Sequence, residues 1–247
     1  MLAETAGTGG LLILVPARGG SKSLRGKNAL TLGDLPLLGW TASAVASSGL
    51  DGVLWLSTDD EEVATIGQRV GLQVPFLRPP ELATDTATMV SVALHALDHY
   101  AALNGREAET LLLLQPTSPF RRPEALCQAM EWFAQTPELD AVLGVKAINR
   151  TLATLFYADA GGLLSPLATS NAFDSTRRQD VRTLYTPNGA LYLVRTRVLR
   201  EQGTFFPPRS RALVMDEIES LDIDQPTDWA IAEATERSGM HWRGPAR

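Results

Sequence analysis

The apolar positions of this chain fall into short unbroken runs separated by segments of helical period. Leu11 to Val15 is one such run, with the length and composition of a strand buried on both faces. The stretch L-P-L-L-G-W-T-A-S-A-V-A-S-S-G predicts a helix whose apolar residues recur to Val45, with Gly49 as its stop. D-G-V-L-W-L-S-T-D-D predicts a short buried strand, and Asp60–Val70 a helix that Ser57, Thr58 or Asp59 could cap. Gln73–Phe76 reads as another short strand and Met89 to about Leu103 as a helix, with Thr86 or Thr88 available as its cap. Strand Leu111–Leu114, proline-started helix Pro123–Gln135 and strand Ala141–Val145 follow. A strand at about 189–194 leads to I-E-S-L-D-I-D-Q-P-T-D-W-A-I-A-E-A, which reads as strand, turn and helix with Pro226 near the helix start.

Strands that are continuously apolar and alternate with helices imply an α/β fold with a mainly parallel sheet covered on both faces. Ligands bind such sheets beyond the carboxyl ends of the strands. The polar stretches at 16–28, 57–59, 78–88 and 115–122 each follow a predicted strand, so they are expected to converge on one edge. From about 146 to 187 the pattern loosens into extended segments and loops, an inserted lobe within a single domain spanning 1–247. The small, polar, Gly-rich residues 1–10 read as a frayed tail.

Chemistry concentrates in the loop after the first strand. P-A-R-G-G-S-K-S-L-R-G-K-N carries Gly19, Gly20 and Gly26 with the cations Arg18, Lys22, Arg25 and Lys27. Lysine occurs only at 22, 27 and 146, so two of the chain's three lysines stand in this loop. Glycines let backbone amides approach an anion and cations neutralise it, which points to a polyphosphate cradle; a basic surface loop is the plainer alternative. The P-loop spacing is absent, because Gly20 to Gly26 encloses five residues and Asn28 stands where the metal-binding hydroxyl would be. A dinucleotide turn would have closer glycines and fewer cations.

Asp222 and Asp224 are the sharpest acidic feature. Two apart in an extended strand, they share one face, and two adjacent carboxylates repel unless a cation joins them. Mg²⁺ binds through one or two carboxylates plus substrate phosphates, so the pair reads as its site; solvated carboxylates or helix caps are the alternative. Arg78, in a proline-stiffened loop, could meet a base or phosphate, or simply close a turn before a helix. Gln115, just past four leucines, would aim an amide with both donor and acceptor into the crevice. Ser118 lacks a nucleophile elbow. Arg177 and Arg178 could bind a carboxylate through paired hydrogen bonds or lie at the surface. His95 and His99 share a helix face without a third metal ligand, Cys127 reads as a small core residue, and the Trp and Phe residues as core.

Composition sets the outer bounds. The net charge of −6 argues against broad nucleic-acid binding, though not against a site with its own local cations. One cysteine leaves no disulfide framework or cysteine cluster for zinc. No apolar run approaches the roughly 18 residues that span a bilayer. No cationic start precedes an apolar segment, so a signal peptide is not expected and the cytoplasm is the default location.

Six motifs together resemble the acylneuraminate cytidylyltransferases, also called CMP-sialic acid synthetases. They are P-A-R-G-G-S-K-S-L-R-G-K-N, R-P-P-E-L-A-T-D-T-A, L-L-Q-P-T-S-P-F-R, R-R-Q-D, P-N-G-A-L-Y and L-D-I-D, in the family's order from residue 16 to residue 224. The resemblance implies a Rossmann-like α/β fold whose looser lobe forms a homodimer. It implies that Arg18, Gly19, Gly20, Ser21, Lys27 and Asn28 hold the phosphates of CTP and that Arg78 contacts the cytosine. Gln115, Arg178, Asn188 and Tyr192 would face an acidic nine-carbon sugar, with Arg178 on its carboxylate, and Asp222 and Asp224 would bind Mg²⁺. The implied reaction is attack of the sugar's anomeric hydroxyl on the α-phosphate of CTP, with pyrophosphate leaving; Arg18, Lys27, Asp222 and Asp224 would carry it.

Two positions depart from the resembled pattern. Ala153 stands where a lysine can occur, and Thr186 precedes P-N-G where an arginine can. Both remove a cation near the expected sugar site, which opens the choice of sugar to legionaminate or pseudaminate types. A non-catalytic nucleotide-binding regulatory dimer and a cytidylyltransferase for an octulosonate are the competing readings.

Overall fold

A computed structural model describes residues 10–20, 24, 26–148, 150, 154–167 and 183–242. Strands β1 (Leu11–Pro16), β4 (Val53–Ser57), β5 (Thr110–Leu113), β6 (Ala141–Ile148), β9 (Leu184–Arg195) and β10 (Ser210–Val214) form one sheet in the order β10-β6-β9-β5-β1-β4. The short pairs β2 (Thr31–Leu32) with β3 (Leu35–Pro36) and β7 (Phe156–Ala158) with β8 (Leu164–Pro166) form two small ribbons. Helices α1 (Leu37–Ser48), α2 (Glu61–Arg69), α3 (Met89–Asn104), α4 (Pro123–Gln135), α5 (Thr196–Gln202) and α6 (Pro226–Ser238) complete the chain.

The side-chain period of two explains why β1 is apolar throughout. Leu12 and Leu14 pack with Ala93, Leu97 and Tyr100 of α3 on one face. Leu11 and Ile13 pack with Val45 of α1 and Leu126 and Phe133 of α4 on the other. A strand sandwiched in this way has no solvated side on which to place polar residues.

β1 pairs in parallel with β4 and β5, and β10 with β6, but β9 runs antiparallel between β5 and β6. Among the described residues only the β7–β8 ribbon lies between β6 and β9. An antiparallel return needs no crossover of the kind, usually helical, that a parallel one requires. This reversal matters for the site: with Tyr192 opposite Leu113, the earlier residues of β9 lie beyond the carboxyl end of β5.

Several local expectations need correction. Asp60, not Ser57, Thr58 or Asp59, caps α2, its Oδ1 accepting from the amides of Glu62 and Val63. Gln73 makes a single bridge to Trp55, and no strand forms at 73–76. Residues 216–225 form turns and irregular chain, so Asp222 and Asp224 do not lie in a strand. The sheet's edge strand there is β10, which pairs with β6. Thr88 caps α3, and α4 spans the expected Pro123–Gln135. Cys127 is exposed on α4, and the core reading fails for Phe156 and Phe206, both exposed.

Candidate active site

A crevice of about 560 Å³ opens at the carboxyl ends of β1 and β5. Three separate stretches wall it: Arg18, Lys27 and Asn28 from the first loop, Arg78 to Met89 from the loop before α3, and Gln115 to Thr117 after β5. Asp222 and Asp224 close it from the far end of the sequence. Residues read from the sequence as phosphate cations, base contact, sugar contact and acidic pair therefore face one cavity.

The first loop is pinned at several points. Gly19 donates its amide to Asp59 Oδ1 at 3.0 Å, and Asn28 Nδ2 donates to the carbonyl of Arg18 at 3.0 Å. A Cβ at Gly19 would collide with the Asp60 carboxylate, so this position needs glycine for close approach to the α2 cap. Gly26, at φ +65°, starts the short 3-10 turn Lys27–Ala29 that buries Lys27 and Asn28. Gly20 is exposed, and Ser21 lies outside the described residues.

The cations lining the crevice already have partners. Arg18 Nη1 lies 2.8 Å from Asp85 Oδ1 across the mouth. Lys27 Nζ donates to Asp224 Oδ1 at 2.9 Å and to the carbonyl of Ile223 at 2.7 Å. Arg78 is buried, its Nε donating to Ser57 Oγ at 3.0 Å and its Nη2 to the Ser57 carbonyl. Burial pulls its pKa down to about 10, against the pull of Asp59.

Ile223 is fully buried in a cluster with Leu37, Trp40 and Phe120. Its anchoring turns the residues on either side, Asp222 and Asp224, toward the crevice without any strand. Burial raises the Asp222 carboxyl above the ordinary range; a hydrogen bond from Thr117 opposes this and the charge of Asp224 adds to it. Asp222 Oδ1 is buried and has no hydrogen-bond partner among the described residues. The loop is held from behind by α6, where Asp228 Oδ2 accepts from the amides of Asp224 and Gln225.

Gly189 lies against this pair. At φ +78°, it lacks the Cβ that would stand 2.6 Å from Gln115 Oε1 and 3.6 Å from Asp222 Oδ2. The antiparallel β9 thus brings a bare backbone against the Gln115 amide and the Asp222 carboxylate. Tyr192, three residues on, accepts a hydrogen bond from the Gly189 amide, and burial raises its phenol pKa. The exposed Phe206 ring lies 6.1 Å from the Tyr192 ring.

Asn188 does not line the crevice. Its side chain is buried, Nδ2 donating to Ser220 Oγ at 3.0 Å and to Met215 Sδ at 3.2 Å, with Oδ1 accepting from the Ala190 amide at 3.1 Å. The amide joins β9 to the chain ahead of the acidic pair. Arg178 and Arg177 lie outside the described residues, as does Ala153. His95 and His99 pack against the Phe76 ring, and no group of three metal-binding side chains occurs among the described residues. Arg121, quoted above within a motif but given no role, is completely buried beside the Gln115 loop. A charged residue reads from sequence as surface, so only its place at the end of Q-P-T-S-P-F-R could have drawn attention to it.

Comparison with known proteins decides the family. The pattern of the family described as "Cytidylyltransferase" matches residues 12–236. This chain belongs to the cytidylyltransferase family. Within it, the chain is 32% identical over 225 residues to a CMP-N,N'-diacetyllegionaminic acid synthase of Legionella pneumophila, covering 90% of this chain and 94% of that one. It is 34% identical to an N-acylneuraminate cytidylyltransferase of Escherichia coli, matching 90% of this chain but only 51% of the longer relative. Among solved structures, a CMP:2-keto-3-deoxy-manno-octonic acid synthetase complexed with CTP superposes with a TM-score of 0.66 at 16% identity, over 93% of this chain and 99% of that one. That likeness carries the cytidylyltransferase fold.

Proposed function

We propose that this cytidylyltransferase transfers CMP from CTP to the anomeric hydroxyl of a nonulosonic acid, releasing pyrophosphate. The observation that carries the reading is the convergence of Arg18, Lys27, Arg78, Gln115, Asp222 and Asp224 on one crevice from four distant stretches of chain. Relatives named for legionaminic, neuraminic and pseudaminic acids support the nine-carbon acceptor class.

The chemistry is positioning plus electrostatics, since phosphoryl transfer asks for alignment and charge compensation. Lys27, fixed from two sides, faces the α-phosphoryl group, and Arg18 offsets charge on the departing pyrophosphate. Arg78, locked on Ser57, walls the cytosine end. Gln115 orients the acceptor sugar, with Tyr192 and the exposed Phe206 beside it. Arg178 would meet the sugar's carboxylate. The buried, partnerless Oδ1 of Asp222 and the neighbouring carboxylate of Asp224 form the oxygen donor set a hard divalent cation takes. These two residues would hold Mg²⁺, which when bound neutralises phosphate charge.

The apolar residues Phe156, Tyr157, Leu163 and Leu164 are all exposed on or beside the β7–β8 ribbon, which supports self-association of this lobe as a homodimer. Thr186 pairs across the strand with Lys146 of β6, so a cation remains beside the position where the resembled pattern can carry arginine. Among the described residues no helix is long and apolar enough to cross a membrane.

Pyrophosphate release from CTP and Mg²⁺, measured against a panel of nonulosonic acids with Asp224→Ala as control, tests the reading. Release with one sugar, lost in the variant, is the expected result. A folded protein that binds CTP yet releases nothing with any of them overturns the acceptor class, and absence of CTP binding overturns the reading entirely.

A further inference from the structure

Arg121 is the largest fully buried side chain among the described residues, and it lines no part of the crevice. Its guanidinium reaches three separate elements. Nε donates to the carbonyl of Ala190 in β9 at 2.7 Å, Nη1 to Thr41 Oγ1 in α1 at 3.0 Å, and Nη2 to the carbonyl of Gln115 at 2.6 Å. All three acceptors are uncharged. Burial pulls its pKa down to about 9, against the charge of Asp222.

A cation in this position is costly to desolvate, and an apolar side chain of similar volume would pack the same space without that cost. What the guanidinium supplies is a rigid planar fork whose donors set fixed distances between the groups they hold. Two of its bonds fall on either side of the approach of Gly189 to Gln115. One holds the backbone of Gln115; the other holds Ala190, the residue after Gly189, against which the Gln115 amide rests. The third ties both to α1, a helix that packs on the same core as β1.

We propose that Arg121 is a positioning residue that sets the spacing between Gln115 and Gly189, and so the place of the Gln115 amide relative to Asp222. It touches no substrate and acts only through these backbones. This inference rests on the reading of Gln115 as the sugar-side contact.

A double-mutant cycle tests it. Arg121→Lys is expected to raise KM for the sugar acid by about 10- to 100-fold, the scale of a misplacement near 1 Å, while the calorimetric Kd for CTP stays within about 2-fold. With Gln115→Ala already in place, adding Arg121→Lys should cost little more; combined with Arg78→Lys, the two effects should multiply. Multiplying effects with Gln115→Ala, or a loss of CTP affinity in step with turnover, would overturn the proposal. If Arg121→Lys does not fold, Thr41→Val removes only the α1 acceptor. A smaller rise in sugar KM that vanishes in the Gln115→Ala background then supports the clamp, and no rise overturns it.

Amide hydrogen exchange separates this inference from the functional reading. Faster exchange at 115–118 and 189–191, with 11–16 unchanged, supports the clamp even if the wild-type protein activates none of the sugars. Unchanged exchange at both segments overturns it whatever the wild-type activity.

Discussion

Lys27 Nζ lies 2.9 Å from Asp224 Oδ1, an ion pair that joins the first loop of the chain to the acidic pair across 197 residues. The lysine is nearly buried and the aspartate mostly exposed, so the contact lies at the crevice wall rather than on the open surface. One carboxylate is thereby shared between Lys27, the proposed phosphate contact, and the proposed metal site.

That sharing predicts opposite effects on binding and turnover. Asp224→Ala frees Lys27 and removes a negative charge from the phosphate site, so metal-free CTP binding holds or tightens. Turnover falls by roughly 10²–10³-fold, the usual cost of losing one well-placed electrostatic group. Calorimetry in EDTA beside pyrophosphate release reads both; weaker metal-free binding in the variant would contradict the shared role.

The Arg18–Asp85 pair is half-exposed at both ends, and such pairs contribute about 0–1 kcal/mol. Asp85→Asn is therefore expected to leave Tm almost unchanged. Because Asp85 and a triphosphate compete for the same guanidinium, the variant should bind CTP up to about 5-fold more tightly at low salt. Titrations at two salt concentrations check it, since the gain should shrink as screening increases.

Asp222→Asn should trade activity for stability in a pH-dependent way. Burial raises the folded-state pKa of Asp222, so the folded protein holds this proton more tightly than the unfolded chain. Stability is lost as pH rises from the ordinary carboxylate value of about 4 through the raised one. The asparagine variant should melt higher than wild type at pH 7, by about 2–4 °C per kcal/mol in a chain of this size, and the gain should vanish toward pH 4. A gain independent of pH would assign the effect to something other than ionisation.

Asn188→Ala discriminates a structural amide from a sugar contact. The side chain's hydrogen bonds all run to Ser220, Met215 and Ala190, so its loss should cost about 1–3 kcal/mol of stability, as for other buried polar groups left unpaired. Urea unfolding should show this. A variant with wild-type stability and a raised sugar KM would restore Asn188 to the pocket.

Much of this site was legible because its signals are local. A glycine- and cation-rich loop after an apolar run stands out as a candidate anion site wherever the fold puts it, and Pro123 marks the start of α4 by its backbone alone. Asp222 and Asp224 were recognised for the wrong reason. No strand forms there; buried Ile223 turns its two neighbours outward and does the work expected of a pleat. Asn188 could be read only as polar, because Ser220 and Met215 are about 30 residues away in sequence and their approach depends on how β9 pairs with β6.

By itself the sequence determined the strand–helix alternation, the glycine- and cation-rich loop after the first strand and the polar turns gathered on one edge, because each follows from side-chain period and backbone chemistry over a few residues. Tertiary structure alone decided the reversal of β9, the bare approach of Gly189 to Gln115, the pairing of Lys27 with Asp224 and the burial of Arg121. Each of these is set by where distant segments meet, and a charge or an amide takes its partner from that meeting rather than from its neighbours in the chain.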